Sequence, residues 1–272
     1  MKTSASQVDE KLISAAQSGN AAEGMHALRE GANVNCETTI APYEKVTPLM
    51  LASQNCHNAV ARILLNAGAD VRKATSCIIP DEPAKETALH WAARARSVGG
   101  CKLLVQAGAN VNAKSTRGTP LTYAIEADSA AIVKLLLKSG AEVSSPSGKD
   151  QRSALEWAGE SGFPDIVKTL LKHRAKPKPN PLSKKTPLML ACVSNHAKVA
   201  ALLIRAKDSL EAKDKHGWTP LMYAAWGNSG ECVQLLLKGG ANPRAKNKKG
   251  RTAFDLAHEV DSHEATYYLE RA

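Results

Sequence analysis

A unit of about 33 residues recurs along almost the whole of this 272-residue chain, and its clearest copy runs from Gly217 to Lys246. Thr219 followed by Pro220 predicts a helix start, because a threonine oxygen caps free N–H groups and proline fits the first helical position. Gly240 predicts the end of a second helix, since glycine accepts the left-handed backbone that ends one. Two such short helices can bury their apolar faces only against neighbouring copies.

The copies keep a regular spacing. The first helices start at a threonine or serine, and consecutive starts are 40, 32, 34, 33, 33 and 33 residues apart. These starts are Thr47, Thr87, Thr119, Ser153, Thr186, Thr219 and Thr252. Among the starts are TPLMLAS, TALHWAA and TPLMYAA, and among the ends are GANVN, GADVR and GANPR. Period and motifs together resemble the ankyrin repeat. The resemblance implies an all-α solenoid of stacked helix-turn-helix units with extended β-turn fingers, capped at both ends.

The resemblance covers nearly the whole chain and implies a polar tail over residues 1–9 and one ankyrin-repeat domain over residues 10–270. The repeats are expected near 10–37, 47–73, 87–114, 119–145, 153–177, 186–213, 219–246 and 252–270. The first and last copies depart from the pattern with polar residues on one face, as end units without an outer neighbour require. In the first copy, Leu12, Met25 and Leu28 are expected to face inward.

Leucine pairs recur in the second helices and predict a shared apolar core. The pairs are Leu64 and Leu65, Leu103 and Leu104, Leu135 and Leu136, Leu170 and Leu171, Leu202 and Leu203, and Leu235 and Leu236. Trp91, Tyr123, Trp157 and Tyr223 stand where other copies have leucine, so packing between repeats is the favoured role for these aromatic side chains.

The composition of the chain indicates its cellular location. No apolar run approaches the length of about 18 residues that spans a membrane, and the N-terminus lacks the apolar run of a secretory signal. The six cysteines contain no CxxC pair, so neither a disulfide framework nor a zinc site is indicated. We therefore expect no membrane insertion and a cytoplasmic location, with a nuclear location and secretion without a cleavable signal left open.

The net charge of +10 is concentrated toward the C-terminus. Between Lys168 and Arg251 there are 18 lysines and arginines against four acidic residues. The phosphate backbone of a nucleic acid would bind such a cluster of positive charges. However, no aromatic stacking platform or base-reading motif is interleaved with it, so nucleic-acid binding ranks below protein binding.

Trp218 and Trp226 differ from the other aromatic residues. Trp218 precedes the starting threonine and Trp226 follows the AlaAla of the same motif. The resemblance implies that both positions look into a concave groove, where tryptophan is typical of binding hot spots. Groove positions, basic fingers and the two longer fingers supply the candidate protein-binding residues. These are Trp218, Trp226, Lys215, His216, Lys185, Val193, Lys248, Lys249, Arg251, Arg152, Arg94, Tyr43 and Ile78.

No motif for chemistry appears in context, and we predict no catalytic residue, cofactor or metal site. His90 stands at the position where the family's histidine hydrogen-bonds within the finger, which implies a structural role. We predict a non-catalytic protein-interaction module that binds another protein with an acidic and apolar contact surface. One alternative is a regulatory or secreted effector protein that inhibits or recruits a target enzyme; a lower-ranked one is a binder of nucleic acid or another polyanion.

Overall fold

The computed structural model describes residues 7–77, 85–144, 146 and 148–272. Contacts divide the chain into two compact units. The first unit reaches Glu142, the second covers Asp150–Ala272, and residues 143–149 are divided between the two units. No helix in the described ranges has the length and apolar character needed to cross a membrane.

The first unit contains four pairs of short helices and a small sheet among its described residues. In chain order its elements are α1 (Gln7–Ser18), α2 (Ala21–Arg29), β1 (Thr38–Ile40), β2 (Tyr43–Val46), α3 (Pro48–Gln54), α4 (Asn58–Asn66), β3 (Ser76–Cys77), α5 (Ala88–Arg94), α6 (Val98–Gln106), α7 (Pro120–Glu126) and α8 (Ala130–Lys138). The first helix of each pair packs against the first helix of the next pair, as the repeat pattern predicts.

The second unit repeats this arrangement. Its helices are α9 (Ala154–Ser161), α10 (Pro164–Lys172), α11 (Pro187–Val193), α12 (Ala197–Arg205), α13 (Pro220–Trp226), α14 (Gly230–Lys238), α15 (Ala253–Glu259) and α16 (His263–Leu269). Helices α9, α11, α13 and α15 pack in succession, and α10, α12, α14 and α16 form a second layer. The predicted stacking of helix-turn-helix units is confirmed within each unit.

The two long fingers of the first unit form an antiparallel sheet instead of plain loops. Strand β2 lies between β1 and β3, and Tyr43 pairs with Ile40 on one side and with Cys77 on the other. The threonines, isoleucine, tyrosine and valine of β1 and β2 favour this extended structure. Ile78 lies outside the described residues.

Local sequence explains where the helices begin and end. The Thr219 hydroxyl accepts a hydrogen bond from the Met222 N–H at 3.4 Å, and Pro220 occupies the first helical turn of α13. Gly240, after α14, has a φ of 90°, the left-handed conformation that ends a helix. Two repeats lack this glycine and place Arg174 and Lys207 at φ values of 66° and 62°.

One leucine of each second-helix pair lies fully in the core. The fully buried members are Leu64, Leu104, Leu136, Leu170, Leu203 and Leu236, all with 0% exposure, while their partners are half-buried. The leucine pairs were predicted to share one apolar core, and only one member of each pair lies fully in it, because a helix with about 3.6 residues per turn points adjacent side chains in different directions. The expectation for Met25 is also wrong: it is 41% exposed, and Ala27 takes the inner position of α2.

His90 joins two successive repeats. Its Nδ1 accepts the Thr87 N–H at 3.1 Å, so its Nε2 carries the proton and donates to the Gly118 carbonyl at 3.3 Å. Burial lowers the pKa of His90 to about 4, which keeps the ring neutral. The predicted structural role of this histidine is confirmed.

Asp208 occupies a position where six other repeats have alanine, namely Ala32, Ala69, Ala109, Ala141, Ala175 and Ala241. Its side chain is buried, and its Oδ2 accepts the Leu188 N–H in the first turn of α11 at 3.0 Å. Burial raises the pKa of this carboxyl from 3.8 to about 6. A buried ionised carboxylate therefore opposes folding of the second unit at neutral pH.

Truncating Leu236 to alanine should lower the free energy of unfolding by about 2–5 kcal/mol, because a fully buried side chain leaves a cavity. Leu235→Ala is the matched control, since Leu235 is the half-buried neighbour in the same helix. Urea denaturation followed by circular dichroism measures both. Equal losses in the two variants would contradict the assignment of a single core leucine per helix.

Asp208→Asn should stabilise the protein on the order of 2 kcal/mol at pH 7 and have little effect at pH 4. Between the unfolded pKa near 3.8 and the folded pKa of about 6, the native state keeps a proton that the unfolded chain has released. The contribution of Asp208 to stability is therefore lost as pH rises through this window, whereas asparagine does not titrate. Denaturation curves at both pH values test this, and a wild type that gains on the variant with rising pH would contradict it.

Candidate functional site

Two positions in each repeat face each other on the first-helix face. One directly precedes the starting threonine or serine, and the other lies seven residues after it, at the end of the first helix. In three repeats the residues at these two positions form an ion pair, and in a fourth the pair uses Arg117, the residue before the first position. The pairs are Glu86 with Arg94, Arg117 with Glu126, Arg152 with Glu160, and Arg251 with Glu259. We call these the paired positions, and in these four repeats their charges neutralise each other.

The Glu86–Arg94 pair of the first unit is part of a buried network. Glu86 is 2% exposed and binds the Arg94 guanidinium at 3.2 Å, the Tyr123 hydroxyl at 2.5 Å and the Tyr43 hydroxyl at 3.3 Å. The Tyr43 ring also lies 5.4 Å from the Trp91 ring. The predicted binding residues Arg94 and Tyr43 thus have partners inside the protein, and Tyr43 lies in a strand instead of a free finger tip.

Arg152 and Arg251 are likewise held by internal carboxylates. Arg152 binds Glu160 and lies 4.9 Å from the centre of the Trp157 ring. Arg251 binds Glu259 across its own repeat. Because its guanidinium is paired with a carboxylate, each of these arginines presents less positive charge to a partner than the lysines near it do.

Two adjacent repeats of the second unit lack such a pair. In one of them the paired positions hold Lys185 and Val193, and in the next they hold Trp218 and Trp226. The two indole rings meet edge to face with centroids 5.6 Å apart. The Lys185 ammonium lies 5.3 Å from the centre of the Tyr223 ring, and no described carboxylate forms an ion pair with it.

A cleft of about 530 Å³ opens at this interruption, and we call it the Trp cleft. Its walls are formed by Lys185, Val193, Asp214, His216, Trp218, Tyr223, Trp226, Lys248, Lys249 and Arg251. Eight of the thirteen predicted binding residues therefore meet in one place. Of the others, Arg152 and Lys215 line a neighbouring cleft, Arg94 and Tyr43 belong to the first unit, and Ile78 is not described.

The Trp cleft combines an aromatic wall with cationic edges. Trp226 is 41% exposed although its neighbours Ala225 and Tyr223 are buried. Lys248 and Lys249 are exposed at the tip of the next finger. The one carboxylate in the lining, Asp214, is only 5% exposed. The surface that a ligand would meet is therefore apolar in the middle and positive around it.

The Asp214 side chain fixes the backbone of the finger that lines the Trp cleft, a role that the sequence did not predict. Its Oδ1 accepts the N–H groups of His216 and Trp218, each at 2.8 Å, and its Oδ2 accepts the Tyr223 hydroxyl at 2.9 Å. Burial and this hydrogen bond raise the pKa of Tyr223, which therefore stays protonated. The aspartate fixes the turn that aims the Trp218 ring at the Trp226 ring.

The same turn recurs in the adjacent fingers, where Asn180 accepts two backbone N–H groups at 2.9 Å and Asn247 accepts two at 2.9 and 3.1 Å. An Asp or Asn five or six residues before the starting threonine is the sequence signal that identifies these turns. No group of three or more described His, Cys, Asp or Glu residues is arranged to hold a metal ion.

Comparison with known proteins agrees with this architecture. The family model for ankyrin repeats matches residues 12–115, 114–181, 175–247 and 211–269. The crystal structure of the human ASB11 ankyrin repeat domain is 27% identical, with 82% of this chain and 98% of that chain covered and a TM-score of 0.71. No curated protein sequence matches significantly. With matches along most of its length, the chain belongs to the ankyrin repeat family.

Proposed function

We propose that this protein is a non-catalytic interaction module that binds a partner protein through the Trp cleft of its second unit. Ankyrin repeat domains generally mediate protein–protein interaction. The observation that carries the choice of site is the interruption of the ion pairs in two adjacent repeats, where Lys185 and the Trp218–Trp226 pair replace them.

The aromatic wall supports an apolar anchor on the partner. Trp226 exposes 41% of its surface next to Trp218, and a large apolar patch left uncovered is typical of an interaction site. Tryptophan is enriched among residues whose truncation costs most binding energy. A leucine or aromatic side chain entering the cleft would be desolvated between the two indoles and the Val193 side chain.

The edges of the cleft support an acidic partner. Lys185, Lys248 and Lys249 surround the aromatic wall, while the Asp214 carboxylate is taken up by hydrogen bonds inside the finger. Carboxylates beside the apolar anchor would complement these ammonium groups and accelerate association. A basic partner would meet like charges at the same place.

The cleft is preorganised. Trp218 is fixed by the Asp214 turn, and the Lys248 N–H binds the His216 carbonyl of the preceding finger at 3.1 Å. Groups that are already ordered lose little conformational entropy on binding, so more of the contact energy appears as affinity. The proposal also has a regulatory form, in which the bound partner is an enzyme and binding inhibits or recruits it.

A cytoplasmic location is also part of the proposal. Cys36, Cys56, Cys101, Cys192 and Cys232 are free thiols. Free thiols suit a reducing compartment.

A pull-down from nuclease-treated lysate tests the function. Wild type is compared with the Trp218→Ala, Trp226→Ala double variant, and the captured protein is then titrated as a purified partner. We expect each single tryptophan truncation to weaken binding by about 2 kcal/mol, roughly thirtyfold, with little change in melting temperature.

Tyr267→Ala is the matched control for this experiment. Tyr267 is an aromatic residue of the same unit, is 53% exposed, and lies outside the lining of the Trp cleft. It should bind the partner like wild type. Equal capture by wild type and the double variant would contradict the proposed site. Retention of nucleic acid alone, from lysate without nuclease, would contradict the proposed function.

A further inference from the structure

A second, smaller cleft adjoins the Trp cleft one repeat earlier in the second unit. It has a volume of about 260 Å³ and shares Lys185 with the Trp cleft. We call it the Lys cleft. It is lined by Asp150, Arg152, Glu156, Asn180, Leu182, Ser183, Lys185, Leu190 and Lys215. Lys185 therefore reaches both clefts from the junction between them.

Most polar groups of the Lys cleft are engaged by the protein itself. Arg152 binds Glu160, and the Glu156 carboxylate accepts the Ser153 N–H at 2.8 Å in the first turn of α9. Asn180 donates to the carbonyls of Asp150 and Gln151 at 3.0 and 3.2 Å. These internal hydrogen bonds and the Arg152–Glu160 ion pair fix the walls of the Lys cleft.

The remaining charges favour an anion. Lys185 and Lys215 form no ion pair with a described carboxylate, and Lys215 is exposed. The opposing carboxylates are Asp150, which is exposed at the rim, and Glu156, which is buried in the wall and directed at the Ser153 N–H. Two ammonium groups beside the hydroxyl of Ser183 suit a carboxylate or a phosphate, because both accept several charge-assisted hydrogen bonds.

The stacking of the helices sets the distance between the clefts. The Lys cleft lies over α9 and α11, and the Trp cleft lies over α11, α13 and the finger before α15. Neighbouring packed helices are about 8–10 Å apart. An extended chain advances about 3.3 Å per residue, so the distance between neighbouring repeats is covered by about three residues of a bound extended segment.

We propose that the partner presents an extended segment with an apolar anchor in the Trp cleft and an anionic side chain, about three residues away, in the Lys cleft. This inference rests on the proposed function and adds the spacing that the site selects. The anion is the carboxylate of an aspartate or glutamate, and a phosphoserine in its place is an outcome of the test. Lys185, at the junction, is the residue that couples the two subsites.

Selection from a random peptide library displayed on phage tests the proposal. Immobilised wild type is compared with Trp226→Ala, Lys185→Met and Lys238→Met. Lys185→Met removes the ammonium and keeps an unbranched side chain beside Tyr223. Lys238→Met is the matched control, since Lys238 is an exposed lysine of the same unit outside both clefts.

Wild type and Lys238→Met should enrich the same sequences, with Asp or Glu about three positions from a leucine or aromatic residue. Lys185→Met should keep the anchor preference and lose the acidic one. Enrichment that depends on Trp226 but shows no acidic position at this spacing would overturn the spacing proposal and leave the proposed function standing. Enrichment that does not depend on Trp226 would overturn both.

Fluorescence polarisation with synthetic peptides then tests the spacing directly. In the selected peptide the acidic residue is replaced by glutamine or phosphoserine, or moved from three to six positions from the anchor. We expect glutamine and the longer spacing each to weaken binding about tenfold on wild type and less than twofold on Lys185→Met. Comparison of glutamate with phosphoserine identifies the source of the anion. Equal affinity of the glutamate and glutamine peptides for wild type would overturn the proposal.

Discussion

Each repeat of this protein has apolar faces too small to fold alone, and that constraint determines the rest of the structure. A first helix of seven residues such as α13 gains stability only where its buried side presses against α11 and α15. Close packing follows, and Gly227 shows how close, because a side chain there would collide with the Val193 carbonyl. Because the buried positions are occupied by stacking contacts, variation is confined to the exposed first-helix face and the fingers, and the proposed site lies there.

Within the second unit, the ion pairs of that face distinguish one region from its neighbours. Four repeats close their paired positions with an arginine and a glutamate, which satisfies both charges within the protein. In the repeat with Lys185 and Val193, no carboxylate in the described part of the chain forms an ion pair with the lysine, and the next repeat has two indoles at the paired positions. Asp214 then holds the finger so that Trp218 stands against Trp226. The Trp cleft is thus a departure from the pattern of the chain, supported by a turn that the neighbouring fingers share.

Most of the fold was predictable from the sequence because one constraint is repeated many times. Threonine caps, the proline after them and the glycine terminators each carry a local reason, and the structure confirms them at Thr219, Pro220 and Gly240. The Trp cleft was predictable in its tryptophans and lysines, which stand at variable positions of the repeat. The Glu86 network was not predictable, because Tyr43 reaches it from a strand that forms only when two long fingers pair. Nor was the role of Asp214, whose three hydrogen bonds depend on the conformation of the finger.

The central claim is that binding occurs where the ion pairs are interrupted, and Val193→Glu tests it most directly. This substitution gives the repeat of Lys185 the carboxylate that three other repeats have at the same position, namely Glu126, Glu160 and Glu259. The measurement is retention of the random peptide library on this variant and on wild type, together with the melting temperature of each. The account predicts that retention falls to the level of Trp226→Ala while the melting temperature changes by less than about 2 °C. Retention equal to that of wild type, in a variant that folds normally, would contradict it.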